Sequence, residues 1–174
     1  MFKIATGFSE LLPVKNIAGV IRAVARVKTK NLALWIVGDG RERDKLESLA
    51  RSLRVEARFW GRVPNPRARE ILRQADVFVL NSFHEGMPHA LLEALAEGVP
   101  VVATRIPAVT EILTDQVTGL FVDVGDERSL AGAIQRLVGK PGLRAKLAQN
   151  GRQLFQKNFT WEAHLRQLER VFGK

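Results

Sequence analysis

The chain contains no cysteine and no tyrosine, and only three histidines. No apolar run approaches the ~18 residues of a membrane span. Without cysteine there is neither a disulfide framework nor a thiolate metal site, and the redox compartment stays open. The N-terminal MFKIATGF lacks the long apolar segment of a secretory signal, so the cytoplasm is the expected location. Aromatic content is 7%, without the alternation of aromatic and basic residues that stacks nucleic-acid bases, and no nucleic-acid partner is expected.

What is present describes a soluble globular protein. The 174 residues, 46% hydrophobic and 26% charged, suffice for one domain with its own core. Lysine and arginine outnumber aspartate and glutamate 27 to 18, a net charge of +9. The cations are dispersed. Arg41, Arg43, Lys45, Arg51 and Arg54 share one predicted helix, and Arg67, Arg69 and Arg73 another. Solvated helix faces with a general attraction for anions account for this pattern, and docking at the cytoplasmic face of an anionic membrane is the other reading.

Short apolar runs alternate with helical patterns throughout. FKIAT (2–6), LALWIVG (32–38), EARFW (56–60), DVFVL (76–80), VPVVAT (99–104) and TGLFVD (118–123) read as strands. Their near-continuous apolar character suits a parallel sheet covered on both faces. Ile17, Val20, Ile21 and Val24 follow helical spacing, as do Leu46, Leu49, Ala50 and Leu53, then Leu130, Ala133, Ile134 and Leu137. A final helix is expected near 160–172, the last ~50 residues being helical with no further strand. The expectation is an α/β fold: a Rossmann-like, doubly wound parallel sheet of about six strands with helices on both faces. Ligands of such sheets bind beyond the carboxyl ends of the strands.

Two of those loops could carry chemistry. Gly38-Asp39-Gly40 leads from a strand into a helix, where free amides favour an anion; a tight turn is the plain alternative. Arg43 stands where a dinucleotide fingerprint would need its third glycine, which disfavours NAD. Asn81-Ser82-Phe83-His84-Glu85-Gly86-Met87-Pro88 precedes the helix pattern of HALLEALAEG, with Pro88 placed for the first helical turn and Gly86 permitting close backbone approach. Glu85 and Glu93 would stand ~12 Å apart along a continuous helix. Carboxylates acting on one glycosidic bond sit about 5 to 9.5 Å apart. The spacing therefore favours two grips on an elongated ligand. Glu93, among alanines and leucines, needs a hydrogen-bond donor, which a ribose diol or a backbone amide could each supply.

His84-Glu85-Gly86-Met87-Pro88 through Leu91-Leu92-Glu93-Ala94, followed by Gly98-Val99-Pro100-Val101-Val102, resembles the E-x(7)-E region of retaining GT-B glycosyltransferases of family four, the glycosyl transferases group 1. Ile36-Val37-Gly38-Asp39-Gly40, Gly61-Arg62-Val63, Ala75-Asp76-Val77-Phe78, Thr118-Gly119-Leu120-Phe121 and Phe159-Thr160-Trp161-Glu162 extend the likeness over nearly the whole chain. The resemblance is to the C-terminal, donor-binding half of a two-domain enzyme, whose N-terminal domain supplies most of the acceptor site and is not matched here. It implies metal-independent transfer of a hexose-type sugar from a UDP- or GDP-linked donor to a glycan or lipid-linked acceptor, with no cofactor and little transfer by this domain alone.

Residue by residue, the resemblance gives Glu85 the sugar hydroxyls and Glu93 the ribose. The amides around His84, Gly86, Met87 and Pro88 bind the sugar, and those of Leu91 and Leu92 the phosphates. Arg62 and Val63 border the base, Gly7, Gly38 and Gly40 line the donor site, and Lys15 neutralises the departing diphosphate. One departure is plain. The family reads Gly-Arg-Leu shortly before that lysine, whereas this chain reads Gly7-Phe8-Ser9 and then continues to Lys15 by a longer loop. Arg41, beside the glycine turn, is the candidate to replace the missing cation. A non-catalytic anion-binding or membrane-docking module on the same fold is the alternative.

Overall fold

The computed structural model describes residues 1–29 and 31–172. Six strands form one parallel sheet: β1 (Phe2–Gly7), β2 (Leu32–Val37), β3 (Ala57–Phe59), β4 (Val77–Leu80), β5 (Val101–Thr104) and β6 (Leu120–Val122), in the spatial order β3-β2-β1-β4-β5-β6. Five strands lie within their expected segments and β1 runs one residue past its own, to Gly7, and the doubly wound α/β class is the one observed. β4 and β5 are buried at all four positions, which is why their sequences run apolar without alternation.

Helices α1 (Ile17–Arg26), α2 (Arg43–Ser52) and α6 (Glu127–Gly139) cover one face, packing on Ile4, Leu34, Ile36, Val77, Val79 and Val102. Helices α3 (Asn65–Arg73) and α4 (His89–Ala96) cover the other, where Ala5, Phe78, Leu80, Val101 and Ala103 point. A short α5 (Pro107–Thr110) follows β5. Helix α7 (Pro141–Asn158) joins the two layers: Leu147 belongs to the first cluster, while Leu154 and Phe155 pack on the second. Helix α8 (Trp161–Phe172) closes the chain where the last helix was expected.

Side-chain caps set the starts of two helices. The Asn16 side chain accepts from the Gly19 amide at 3.2 Å to cap α1, and Asp126 accepts from the Arg128 and Ser129 amides at 2.9 Å to cap α6. Each cap contributes about 1 kcal/mol. The helix expected to carry Arg41 through Arg54 is shorter at both ends: α2 runs Arg43–Ser52, with Arg41 in the turn before it and Arg54 beyond its end in a left-handed conformation with φ of 54°. On the outer face of the β3 side, Trp35 and Trp60 meet edge to face at 5.7 Å, and the Arg58 guanidinium lies 3.5 Å from the centre of the Trp60 ring.

Candidate functional site

β1 and β4 are neighbours in the centre of the sheet, yet the chain leaves them for opposite faces, β1 towards α1 and β4 towards α4. Divergence of consecutive loops opens a cleft at their carboxyl ends, the switch point of a doubly wound sheet. Two cavities occupy it. The smaller, about 200 Å³, includes Gly7, Lys15, Glu85, Met87, Pro88 and His89 in its lining. The larger, about 380 Å³, includes Gly38, Asp39, Arg62, Val63, Asn65 and Glu93. Phe8 and Ser9 border both.

Lys15 and Glu85 meet across the switch point. Residues Pro13–Lys15 form a single 3-10 turn after β1, and Glu85 lies in the loop after β4. The Lys15 ammonium donates to both carboxylate oxygens of Glu85 at 2.9 Å. The Ser82 hydroxyl donates to Glu85 Oε1 at 2.6 Å. The Glu85 side chain is 7% exposed and that of Lys15 21%. Burial at this depth removes water from both groups, so the carboxylate depends on protein donors. Backbone contacts fix the two loops together: the Phe83 amide donates to the Val14 carbonyl at 2.9 Å, and Asn81 Nδ2 to the Asn16 carbonyl at 3.2 Å.

Glu93 is differently placed. Helix α4 buries Leu91, Ala94 and Leu95 against the sheet and turns Glu93 into the larger cavity. Among the described residues nothing donates a hydrogen bond to its carboxylate, so of the two donors considered, a ribose diol and a backbone amide, no amide fills the role. Burial pushes its pKa up, opposed by the positive charges of Arg69 and His89. A half-buried carboxylate aimed into a cavity without a partner is suited to a hydroxyl-bearing ligand. The two glutamates thus serve two adjoining cavities, the arrangement that suits an extended ligand.

The other expected residues divide. Arg62 and Val63 line the larger cavity together. Gly86 and Met87 are exposed beside the smaller one, and a Cβ on Gly86 would meet nothing within 4 Å. Pro88 stands one residue before α4, and its carbonyl accepts from the Leu91 and Leu92 amides at 3.0 and 3.2 Å, which ties those amides into the helix turn. His84 is exposed and lines neither cavity.

The Gly38-Asp39-Gly40 segment forms a tight turn, with Gly38 and Asp39 lining the larger cavity. Asp39 Oδ1 takes the Gly40 amide at 2.9 Å, and α2 begins only at Arg43, with Glu42 at its cap and Asp44 in its first turn. Acidic groups there oppose an anion. A Cβ on Gly40 would lie 2.8 Å from the Leu11 backbone, so that glycine serves close packing of the β1 loop. Arg41 lines neither cavity.

Phe8 holds a left-handed φ of 57°, and its ring meets Phe78 edge to face at 5.8 Å. It forms an apolar wall where the resemblance leads one to expect a cation. Ser82, Ser9, Asn65 and Ala68 had no assigned role from sequence. Asn65 and Ala68 reach the cleft only because α3 crosses back from the sheet edge towards β4, and nothing in their local sequence signals it.

Residues 3–154 match the family of glycosyl transferases group 1. The lipopolysaccharide core biosynthesis glycosyltransferase LpsE of Rhizobium meliloti (strain 1021) is 38% identical over 149 residues, 86% of this chain and 43% of that protein. The C-terminal domain of a glycosyl transferase group 1 family protein (LpcC) from Francisella tularensis superposes with a TM-score of 0.84 at 25% identity, covering 92% of this chain and 87% of that one. Anabaena HepE, solved in complex with UDP and glucose, shares the fold with a TM-score of 0.88 at 22% identity, over 98% of this chain and 47% of that one. The chain spans less than half the length of such curated relatives. By this match, which runs from β1 into α7, the chain belongs to the glycosyl transferases group 1 family and corresponds to the donor-binding C-terminal half of the GT-B fold.

Proposed function

We propose that the cleft binds the nucleotide-sugar donor of a retaining, metal-independent hexosyltransferase. The nucleoside lies in the larger cavity, with its ribose hydroxyls donating to Glu93 and its base bordered by Arg62 and Val63. The sugar and diphosphate lie in the smaller cavity, between Lys15, Glu85 and the Gly86-Met87-Pro88 turn. The observation that carries this reading is the pairing of a cation–carboxylate couple in one cavity with an unpartnered carboxylate in the next. One compact anion would not need both. HepE, which shares the fold, was solved with UDP and glucose, which supports a UDP-linked hexose, and LpsE is a lipopolysaccharide core biosynthesis glycosyltransferase, which supports a glycan acceptor. A GDP-linked donor and a lipid-linked acceptor belong to the same proposal.

The chemistry follows from charge. As the sugar departs, negative charge grows on the diphosphate, and an ammonium already placed beside it lowers the barrier more than reorganising water would. Lys15 supplies that ammonium. Glu85 accepts from the sugar hydroxyls and fixes the ring for attack. The acceptor side belongs to an N-terminal GT-B domain in the complete enzyme, so these 174 residues alone transfer little or no sugar.

Isothermal titration with UDP, GDP, ADP and their sugars tests the donor site. Saturable binding of at least one, weakened about tenfold or more by Glu93→Ala, is expected, corresponding to about 1.4 kcal/mol. No saturable binding to any of them sinks the reading. Phe8 in the cation position, with a net charge of +9, motivates a second reading: a non-catalytic module docking on anionic lipid. Co-sedimentation with phosphatidylserine vesicles in the absence of any nucleotide affinity would favour that one.

A further inference from the structure

We infer that Ser82 is the positioning residue that keeps Glu85 oriented when Lys15 leaves it for the donor's diphosphate. The inference rests on the donor-site reading above. In this structure Glu85 Oε1 accepts from both Ser82 Oγ, at 2.6 Å, and Lys15 Nζ, at 2.9 Å, whereas among the described residues Oε2 accepts from Lys15 alone, at 2.9 Å. The carboxylate is therefore held twice, by two groups of very different mobility.

Lys15 is an ammonium on a flexible four-carbon stem, free to follow the stronger charge. A diphosphate carries more charge than one carboxylate and draws it away. Its departure frees Oε2 and one acceptor direction on Oε1. Left unrestrained, the terminal torsion of a glutamate is broad and the carboxylate would swing.

Ser82 cannot follow the lysine. Its hydroxyl sits on the β-carbon, and the residue is 1% exposed. Its own carbonyl accepts from the hydroxyl of Thr104, at the end of β5, at 2.7 Å. Its neighbours are tied to the Lys15 turn, Asn81 through the Asn16 carbonyl and Phe83 through the Val14 carbonyl. The chain Thr104–Ser82–Glu85 thus runs from the central sheet to the carboxylate. With Lys15 gone, it holds Oε1 and presents Oε2 to a sugar hydroxyl. Ser82 touches no substrate; it acts through Glu85, and its effect should appear only when a sugar is attached to the nucleotide.

The test compares each nucleotide with its sugar-bearing form by titration: UDP against UDP-glucose and UDP-N-acetylglucosamine, and GDP against GDP-mannose. Wild type, Ser82→Ala and Ser82→Thr are measured, with thermal melting to verify folding. The expected result is that Ser82→Ala leaves nucleoside diphosphate affinity unchanged and removes about 3- to 10-fold of the advantage given by the sugar. Ser82→Thr, which keeps the hydroxyl, retains that advantage. A wild-type chain that binds no nucleotide overturns the donor-site reading itself. Nucleotide binding with a sugar advantage that Ser82→Ala leaves intact overturns the Ser82 assignment alone. Equal losses of UDP and UDP-sugar affinity in Ser82→Ala also overturn it, by revealing a merely structural role, as does a wild type for which no attached sugar alters affinity.

Discussion

The Lys15 ammonium lies 2.9 Å from both carboxylate oxygens of Glu85, joining residues 70 positions apart across the gap between β1 and β4. Removing either partner alone leaves the other charged and short of water. A double-mutant cycle with Lys15→Met and Glu85→Gln, read by urea unfolding, should give a coupling of about 1 to 3 kcal/mol. Fully buried pairs whose single partners are removed lose about 3 to 5 kcal/mol, and the partial exposure of Lys15 reduces that. Additivity within about 0.5 kcal/mol would show that the pair is not held in solution.

That pair also shows where sequence was legible and where it was not. The six strands and their parallel class follow from apolar runs, and the helices from spacing, because these are local patterns. Glu85, Glu93 and Lys15 could be singled out one by one through their motifs. Their partnership could not, since it depends on β4 returning beside β1. Arg54 is another case: it ends α2 in a conformation usually left to glycine, and no residue type announces it. Ser82 lies inside the Asn81–Pro88 loop, but its task emerges only from the directions of Glu85 and Thr104.

Glu93 offers a pH test. Burial raises its pKa, so the folded chain holds the proton to a higher pH than the unfolded chain does. The unfolded state then binds fewer protons through the window between the two values, and stability falls as pH rises through it. The cost is fully present above the folded-state pKa and relieved below the ordinary glutamate range. Glu93→Gln should therefore melt about 1 to 4 °C above wild type at pH 7, with the difference shrinking on acidification, while nucleotide affinity drops. A variant less stable than wild type at pH 7 would mean that Glu93 is held by protein donors after all.

Two glycines of the site should respond in opposite ways to alanine. Gly38 has φ of +123°, and a Cβ there would lie 1.9 Å from the Ser9 carbonyl oxygen. Gly38→Ala must push the β1 loop aside and should cost about 2 to 4 kcal/mol of stability, as strained backbone and overpacking do. Gly86 has open space around it, and Gly86→Ala should leave stability within about 0.5 kcal/mol of wild type, or raise it slightly. Its penalty should appear as weaker binding of sugar nucleotides, because the methyl group occupies ligand space. Thermal melting and titration on the same samples separate the two effects.

The last test concerns the missing cation. Phe8 borders both cavities, and its ring is held by Phe78 at 5.8 Å. Phe8→Arg gives up that edge-to-face pair, worth about 0.5 to 1.5 kcal/mol, and should lower the melting temperature accordingly. The left-handed φ of 57° burdens phenylalanine and arginine alike, so it contributes nothing to the difference. In exchange a guanidinium enters the boundary between the two cavities, beside the diphosphate placed in the smaller one, and can grip it with two parallel hydrogen bonds. UDP affinity should rise about 3- to 10-fold, corresponding to roughly 0.7 to 1.4 kcal/mol. The gain should shrink by half a molar salt through screening, whereas uridine, lacking phosphate, should gain nothing. Phe8→Leu, apolar and uncharged, is the control and should show no gain. Equal changes for uridine and UDP would place the new cation away from the phosphates and count against the assignment of the two cavities. A gain confined to UDP would place the new guanidinium beside the phosphates, as the assignment of the two cavities requires.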